Sequence, residues 1–239
     1  MDAWQIVIAQ ARFRMERPGV GTQLFRGHAN PAWPLLPGIA RPQWRSDEDQ
    51  RLEEYNGYFG FVTAAGSLLP LGADPWTIAF AMQHHGLPTR LLDWSHNFAV
   101  AVYFALKESE GDTAIWALDP YELNSKSIGN DSLLHPTQLS ADYRKFFIDR
   151  TDTPDGDVVA IVPIRHHPRV FSQQSGFTLH ADLKTPLDVL HPECVTKIPI
   201  PKEARSDAEA FLRLAGVTEF TLFPDLDGLA RLMRRKFER

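Results

Sequence analysis

The sequence predicts a single α+β domain over residues 1–239, with a helix-rich N-terminal half and a strand-rich C-terminal half. The composition allows one sizeable core, because 44% of the residues are hydrophobic and 11% are aromatic. The helical and strand-like segments do not alternate regularly, and neither a repeat nor a linker-like stretch divides the chain. This order favours α+β over a parallel sheet with crossover helices.

Capping residues and apolar spacing define the elements of the first half. Ser46 and Asp49 have the spacing of a capping box, and Asp74 followed by Pro75 is typical of an N-cap and the first helical position. Gly86 is suited to end that second helix. The predicted elements, in chain order, are a helix at 2–15, a strand at 21–27, helices at 46–62 and 74–86, a strand at 91–92, a helix at 96–107 and a strand at 113–118.

The second half begins with residues 120–156, which are polar and irregular and which we expect to be a variable insertion. The elements predicted after it are strands at 158–164, 176–180 and 195–200, a helix at 206–214, a last strand at 217–223 and a terminal helix capped by Asp227. The chain ends in basic residues, which suit either the last turn of a helix or a binding patch.

Charge and cysteine content exclude several classes of protein. The formal net charge is −5, so no overall basic field attracts nucleic acid or an anionic membrane. Cys194 is the single cysteine, which excludes an internal disulfide framework and fits a reducing compartment. The N-terminus does not resemble a secretion signal, and no apolar run has the length of a membrane span. We therefore expect a cytoplasmic protein without a membrane partner.

Metal and serine-hydrolase signatures are absent from the sequence. The histidine doublets at 84–85 and 166–167 consist of adjacent side chains, which rarely chelate one ion together. The chain has no HExxH, CxxC or G-x-S-x-G pattern and no glycine-rich phosphate loop. We expect no metal cofactor.

The densest group of polar side chains lies on a Gly-Pro turn between two apolar runs, QHHGLPTRLLDWS at 83–95. This turn has more hydrogen-bonding capacity than a simple connection needs, which indicates a site. Its polar residues are Gln83, His84, His85, Thr89, Arg90, Asp93 and Ser95. Arg90 and Asp93 could pair with each other within the turn.

Three further segments place polar groups near the ends of elements. Arg26 before Gly27 can offer its guanidinium to a phosphate or, alternatively, pair with a core carboxylate. Glu219 lies in an apolar strand pattern, where it is either a solvent-facing residue or a partly buried catalytic one. Gln173 and Gln174 could form an ordinary bulge.

Together these motifs resemble the FRG domain family over about residues 22–230. The signature Phe-Arg-Gly is at 25–27, followed by Trp-Pro-Leu-Leu-Pro at 33–37 and by QHHGLPTRLLDW at 83–94. The resemblance continues in Ala-Val-Tyr-Phe-Ala at 101–105, Gln-Ser-Gly-Phe at 174–177 and Leu-Phe-Pro-Asp-Leu-Asp-Gly at 222–228.

The motif order is also similar to that of ADP-ribosyltransferases of the arginine, serine, glutamate type. This resemblance implies a split β-sheet core and NAD as the substrate, without a metal. Arg26 matches the arginine of their first strand, and Glu219 before Leu222-Phe-Pro224 matches their late glutamate. The chain departs from that pattern because it lacks the Ser-Thr-Ser strand and has Val217 two residues before Glu219.

The transferase resemblance implies a role for each candidate residue. Glu219 would stabilise the oxocarbenium-like transition state as the nicotinamide–ribose bond breaks, and Arg26 would hold the pyrophosphate. Gly27 would allow close approach, His28 would lie near the adenosine ribose, and the remaining residues would form the wall and the acceptor contact. These remaining residues are Gln83, Thr89, Asp93, Ser95 and Gln174.

The expected function is therefore transfer of ADP-ribose from NAD to an unknown protein or nucleic-acid acceptor, in a bacterial toxin or antiphage effector with an antitoxin as a candidate partner. One alternative is a non-catalytic module that binds a nucleotide or nucleic acid. Another is a hydrolase or nuclease that uses the histidines. The transferase hypothesis requires Arg26 and Glu219 to face the same cleft.

Overall fold

The computed structural model describes residues 2–16, 22–41, 46–163 and 171–237. It contains one antiparallel sheet, with strand order β4-β5-β2-β1-β3-β6. The strands are β1 (Leu24–His28), β2 (Leu91–Ser95), β3 (Thr113–Leu118), β4 (Val158–Ile161), β5 (Ser175–His180) and β6 (Val195–Ile200). The predicted α+β class is confirmed.

Helices lie before and between these strands in the chain, as the capping residues predicted. The α-helices are α1 (Ala3–Met15), α2 (Asp47–Ala65), α3 (Pro75–His84), α4 (Phe98–Leu106), α5 (Pro120–Ile128), α6 (Leu187–Leu190), α7 (Arg205–Leu214), α8 (Glu219–Leu222) and α9 (Leu226–Phe237). The Ser46 hydroxyl accepts from the Asp49 amide at 3.0 Å, and the Asp74 carboxylate accepts from the Trp76 amide at 2.9 Å. Gly86 follows α3 with a φ of 84°, a conformation that favours glycine.

The sheet is split between β1 and β2. Strand β1 pairs with β3 along its length, from Leu24↔Leu118 to His28↔Ala114. Strand β2 pairs with β5 in the same way, from Leu91↔Leu179 to Ser95↔Ser175. Between β1 and β2 the paired residues are Phe25 and Ser95 alone, so the two halves of the sheet separate beyond that point.

The core lies on both faces of the sheet. On one face, α1, α4 and α7 cover the β1-β3-β6 half, while α2 and α3 cover the other half. The opposite face holds a third cluster that includes Leu24, Leu92 and Trp116, with Leu123 of α5 and Leu187 of α6. Among the described residues, no helix has the length and hydropathy to cross a membrane.

The expected polar insertion contributes to this core. Residues 120–156 contain α5, a 3₁₀ turn at Pro136–Gln138 and a π-helical turn at Arg144–Ile148. The side chains of Tyr143, Phe146 and Phe147 from this segment are buried against α2 and α3. Apolar side chains at irregular spacing therefore pack without a long regular element.

Three predicted boundaries were wrong. Residues 217–223 are not a strand, because Thr218 caps the short helix α8 through a hydrogen bond from the Thr221 amide at 3.2 Å. Helix α7 begins at Arg205, directly after a 3₁₀ turn, and not at the predicted Ser206. The Asp225 carboxylate, not that of Asp227, accepts from an amide of the first turn of α9. Residues 164–170 lie outside the described residues, as do His166 and His167.

Candidate functional site

A cleft of about 330 Å³ opens where β1 and β2 separate. Its lining comes from β1 and the loop after it, β2, the end of α3, α4 and the residues after it, the start of β5 with a residue before it, and the residue after α8. The lining residues are Phe25, Arg26, Gly27, Ala29, Trp33, Gln83, His84, Asp93, Trp94, Ser95, Val100, Ala101, Phe104, Lys107, Glu108, Gln173, Ser175 and Phe223. The Phe-Arg-Gly segment and the polar turn therefore meet at one site.

Arg26 crosses the split in the sheet. Its Nη1 donates to the main-chain oxygen of Asp93 at 2.8 Å, and its Nε donates to Nε2 of His28 at 3.1 Å. Its Nη2 has no hydrogen-bond partner among the described residues. The enclosing protein lowers the pKa of Arg26 to about 10, while the Asp93 carboxylate acts in the opposite direction. The guanidinium is therefore charged at neutral pH.

His28 lies behind Arg26 and not on the cleft surface, which corrects its expected place beside a ribose. The residue is 3% exposed, and its ring packs edge-on against Trp33 and Trp116. Burial, with a smaller effect from the Arg26 charge, lowers the pKa of His28 to about 3. His28 is therefore neutral at physiological pH and accepts a hydrogen bond that orients Arg26.

Gly27 is required by helix packing as well as by its place on the cleft. A Cβ atom at this position would lie 2.0 Å from the main-chain oxygen of Ala101 and 2.4 Å from the main-chain nitrogen of Ala105. Both of these atoms belong to the backbone of α4, which cannot move away cheaply. The Phe-Arg-Gly and Ala-Val-Tyr-Phe-Ala motifs are therefore two sides of one close contact.

Asp93 is held by two residues of the polar turn. Nε2 of Gln83 donates to Oδ2 of Asp93 at 2.5 Å, and the Thr89 hydroxyl donates to Oε1 of Gln83 at 2.5 Å. Because Thr89 donates to the amide oxygen, the amide nitrogen of Gln83 faces Asp93. The enclosing protein raises the pKa of Asp93, although Arg26 and the Gln83 hydrogen bond act against this. Gln83 and Thr89 thus support a carboxylate that lines the cleft.

Ser95 joins the elements at the closed end of the split. Its hydroxyl donates to the main-chain oxygen of Gln173 at 2.6 Å and accepts from the Asn97 amide at 3.0 Å. Ser95 therefore ties β2 to the residues before β5 and to the start of α4. This geometry gives it a positioning role.

Arg90 does not pair with Asp93. Its Nε donates to Oε1 of Glu54 at 2.8 Å, and the Tyr143 hydroxyl donates to the same oxygen at 3.1 Å. Arg90 and Glu54 are both buried, and the guanidinium lies over the Phe147 ring. Glu54 comes from α2, so this pair anchors the turn to the helical layer.

Glu219 lies apart from Arg26. It is 4% exposed on α8, and its Oε1 accepts from Nε of Arg231 at 2.9 Å. It lines a second cleft of about 490 Å³ with Arg205 and Arg213. Lys107 borders both clefts. Glu219 and Arg26 therefore line different clefts, and Glu219 lies on a short helix and not on the expected strand.

Gln174, which was expected at the wall of the site or at the acceptor contact, does not line the cleft. It has a φ of 47°, is exposed, and its main-chain oxygen accepts from the His96 amide at 2.9 Å. Its neighbours Gln173 and Ser175 line the cleft instead. The left-handed backbone at Gln174 turns the chain before β5 begins.

Three aromatic residues that line the cleft were not among the site residues predicted from the sequence. Trp33 is 50% exposed, and Phe104 and Phe223 also line the cleft. Lys107 and Arg231 lie 5.5 Å and 5.3 Å from the centroid of the Phe223 ring. Trp33 lies in a proline-rich loop, where regular packing does not require a large ring, and this position could have indicated a role at the site.

Comparison with known proteins bears on this site. Neither the curated proteins nor the solved structures gave a match. The model of the FRG domain matches residues 21–114, which include Arg26, the polar turn and the first residues of β3. The motifs at 174–177 and 222–228 lie outside the matched range. Residues 21–114 of this chain are therefore similar to the FRG domain family.

Proposed function

We propose that the cleft between β1 and β2 binds NAD and that the protein transfers ADP-ribose from it to an acceptor, with Asp93 as the catalytic carboxylate. This proposal replaces the hypothesis based on Glu219, which required Glu219 and Arg26 to face the same cleft and fails because they line different clefts. The observation that supports this proposal is that the Arg26 guanidinium and Asp93 line the same cleft, where the guanidinium donates to the main-chain oxygen of Asp93 across the split in the sheet. The cleft volume of about 330 Å³ is within the roughly 300–1,000 Å³ of small-molecule sites.

Arg26 is suited to hold the pyrophosphate. Two of its donors are engaged with Asp93 and His28, which fixes the plane of the guanidinium. The Nη2 group, without a partner among the described residues, is left for an anionic oxygen. The rigid support reduces the entropy cost of binding.

Trp33, Phe104 and Phe223 supply ring surfaces for a heterocycle such as nicotinamide or adenine. Stacking on such surfaces contributes about 1–3 kcal/mol per base in nucleic-acid complexes. The cleft therefore combines an aromatic surface with a charged floor, which is the combination that a dinucleotide requires.

Asp93 is suited to stabilise the transition state. When the bond between the ribose C1′ and the nicotinamide nitrogen breaks, its electron pair leaves with nicotinamide and positive charge develops on the ribose. The Asp93 carboxylate stabilises this charge, and Gln83 keeps it in place. The acceptor atom then bonds to C1′ and releases its proton to water.

The test is incubation of the full chain with labelled NAD and separate protein and nucleic-acid pools. We expect Asp93→Asn to lower turnover by about a hundredfold or more, with a thermal melt near that of wild type. Glu219→Gln should retain turnover, provided that its melt shows a folded protein. Full activity of Asp93→Asn, or loss of activity in a folded Glu219→Gln variant, would contradict this assignment.

The second candidate function is binding of a nucleotide without bond cleavage. It is favoured by the Asp93 carboxylate already accepting from Gln83 and by Glu219 lying in another cleft. Saturable binding with NAD left intact after long incubation would select this candidate.

For the biological setting we propose a cytoplasmic toxin or antiphage effector whose activity consumes or transfers part of NAD. An antitoxin would be its partner. Expression of wild type and Asp93→Asn in bacterial cells tests this setting, because only the former should lower the NAD pool and slow growth.

A further inference from the structure

The turn between α6 and β6 brings three metal-binding side chains together. A ring nitrogen of His191, the Sγ of Cys194 and a carboxylate oxygen of Glu193 lie within 4.8 Å of one another. None of these three residues lines the cleft between β1 and β2. The cluster therefore does not depend on the proposed function.

The His191 ring is oriented by a carboxylate that is itself fixed. Nε2 of His191 lies 3.2 Å from both carboxylate oxygens of Asp157. Asp157 also accepts from the Ser127 hydroxyl at 2.5 Å and from the Val158 amide at 2.6 Å. Because an ionised carboxylate only accepts, the proton of the neutral ring lies on Nε2, and Nδ1 then keeps its lone pair for a cation. A carboxylate behind a histidine ligand is the usual support in zinc sites.

Negative charges outnumber positive ones near the sulfur. Cys194 is 0% exposed, and the carboxylates of Glu122, Glu193 and Asp119 act on its thiol electrostatically, opposed by the ammonium group of Lys126. A divalent cation would offset this concentration of carboxylates. Glu193 is exposed, so an ion can reach the cluster from the solvent at this residue.

We propose that His191, Glu193 and Cys194 bind Zn²⁺. Sulfur, imidazole nitrogen and carboxylate oxygen are the ligand atoms that Zn²⁺ accepts, and three of them leave a fourth tetrahedral position for water. Binding converts the thiol to a thiolate and releases its proton to the solvent. The ion would tie the start of β6 to Asp157, beside the start of β4, and so stabilise the fold.

The experiment uses the full chain after treatment with a chelator. Titration with Zn²⁺ should raise the thermal midpoint in a saturable manner and release protons. Titration with Cd²⁺, which has similar ligand preferences, should produce the ultraviolet absorption of a cadmium–thiolate bond. Asp157→Asn should weaken Zn²⁺ binding about 10- to 100-fold.

Three variants and a control decide the outcome. Cys194→Ser should abolish the cadmium–thiolate absorption, Glu193→Gln should weaken binding, and His135→Gln, outside the cluster, should leave both unchanged. Glu193 is exposed, so its variant remains informative even if Cys194→Ser does not fold. Absence of the absorption band in wild type, or Zn²⁺ binding that Glu193→Gln and Asp157→Asn both leave unchanged, would overturn the proposal.

Discussion

Arg26 donates a hydrogen bond from Nη1 to the main-chain oxygen of Asp93, 2.8 Å away, and thereby connects the two halves of the split sheet. These two strands are paired through Phe25 and Ser95 alone, so this side-chain contact lies beyond the end of their pairing. The residue that the proposed function assigns to phosphate binding thus also bridges the halves of the fold.

Replacement of Arg26 tests its part in ligand binding. Arg26→Lys keeps a positive charge but loses the planar guanidinium that reaches both His28 and Asp93. We expect ADP-ribose or NAD to bind at least about tenfold more weakly, which corresponds to about 1.4 kcal/mol, as measured by calorimetric titration. Arg12→Lys, in an exposed ion pair on α1, is the matched control. Equal affinities for the two variants would contradict the role of Arg26.

Replacement of Gln83 should change a pH profile. The hydrogen bond from Gln83 lowers the pKa of Asp93, so Gln83→Leu should raise that pKa further. The acidic limb of kcat/KM for NAD turnover should then move to higher pH. Thr89→Val, which leaves the Gln83 amide in place without its orienting donor, should move it less. If the acidic limb of kcat/KM stays at the same pH in Gln83→Leu, Asp93 does not take part in the reaction.

Gly27→Ala should destabilise the fold by about 3 kcal/mol or more, because overpacking against fixed backbone is costly. The added Cβ would lie 2.0 Å from the Ala101 main-chain oxygen. Urea unfolding measures this change. Gly57→Ala in α2 is the control, since a Cβ there has no neighbouring atom within 4 Å among the described residues, and it should be neutral or stabilising by up to about 1 kcal/mol. Similar free energies of unfolding for the two variants would show that α4 can move away from residue 27 at little cost.

Buried histidines should make stability fall in mild acid. Burial lowers the pKa of His28 and of His180 to about 3, whereas histidine in the unfolded chain has a pKa of about 6.5. Between these pH values the unfolded state binds more protons, so stability decreases as the pH falls.

For each of these histidines the loss at pH 5 relative to neutral pH is about 2 kcal/mol. His28→Gln should reduce the pH dependence of the free energy of unfolding. If wild type and His28→Gln lose stability in parallel, His28 is already charged in the folded protein.

Much of the secondary structure in the N-terminal half of the chain was predicted from local sequence patterns. The caps at Ser46 and Asp74 are interactions between residues a few positions apart, so their spacing predicts them without knowledge of the fold. The same holds for the turn that ends α3, where Gly86 adopts the left-handed backbone that favours glycine.

The segment around Glu219 was ambiguous for a physical reason. Val-Thr-Glu-Phe-Thr-Leu-Phe alternates well enough for a strand, but Thr218 and Thr221 also have the spacing of a helix cap. In so short a segment packing decides, and here the ion pair between Glu219 and Arg231 accompanies the helical form.

The sequence by itself determined the similarity of residues 21–114 to the FRG domain, the α+β class and the importance of Arg26 and the polar turn, because these depend on composition and on local patterns. Only the tertiary structure decided that Arg90 pairs with Glu54, that Asp93 and not Glu219 shares the cleft with Arg26, and that the sheet splits between β1 and β2. These relationships join residues far apart in the chain, and their geometry depends on how the helices pack against the sheet.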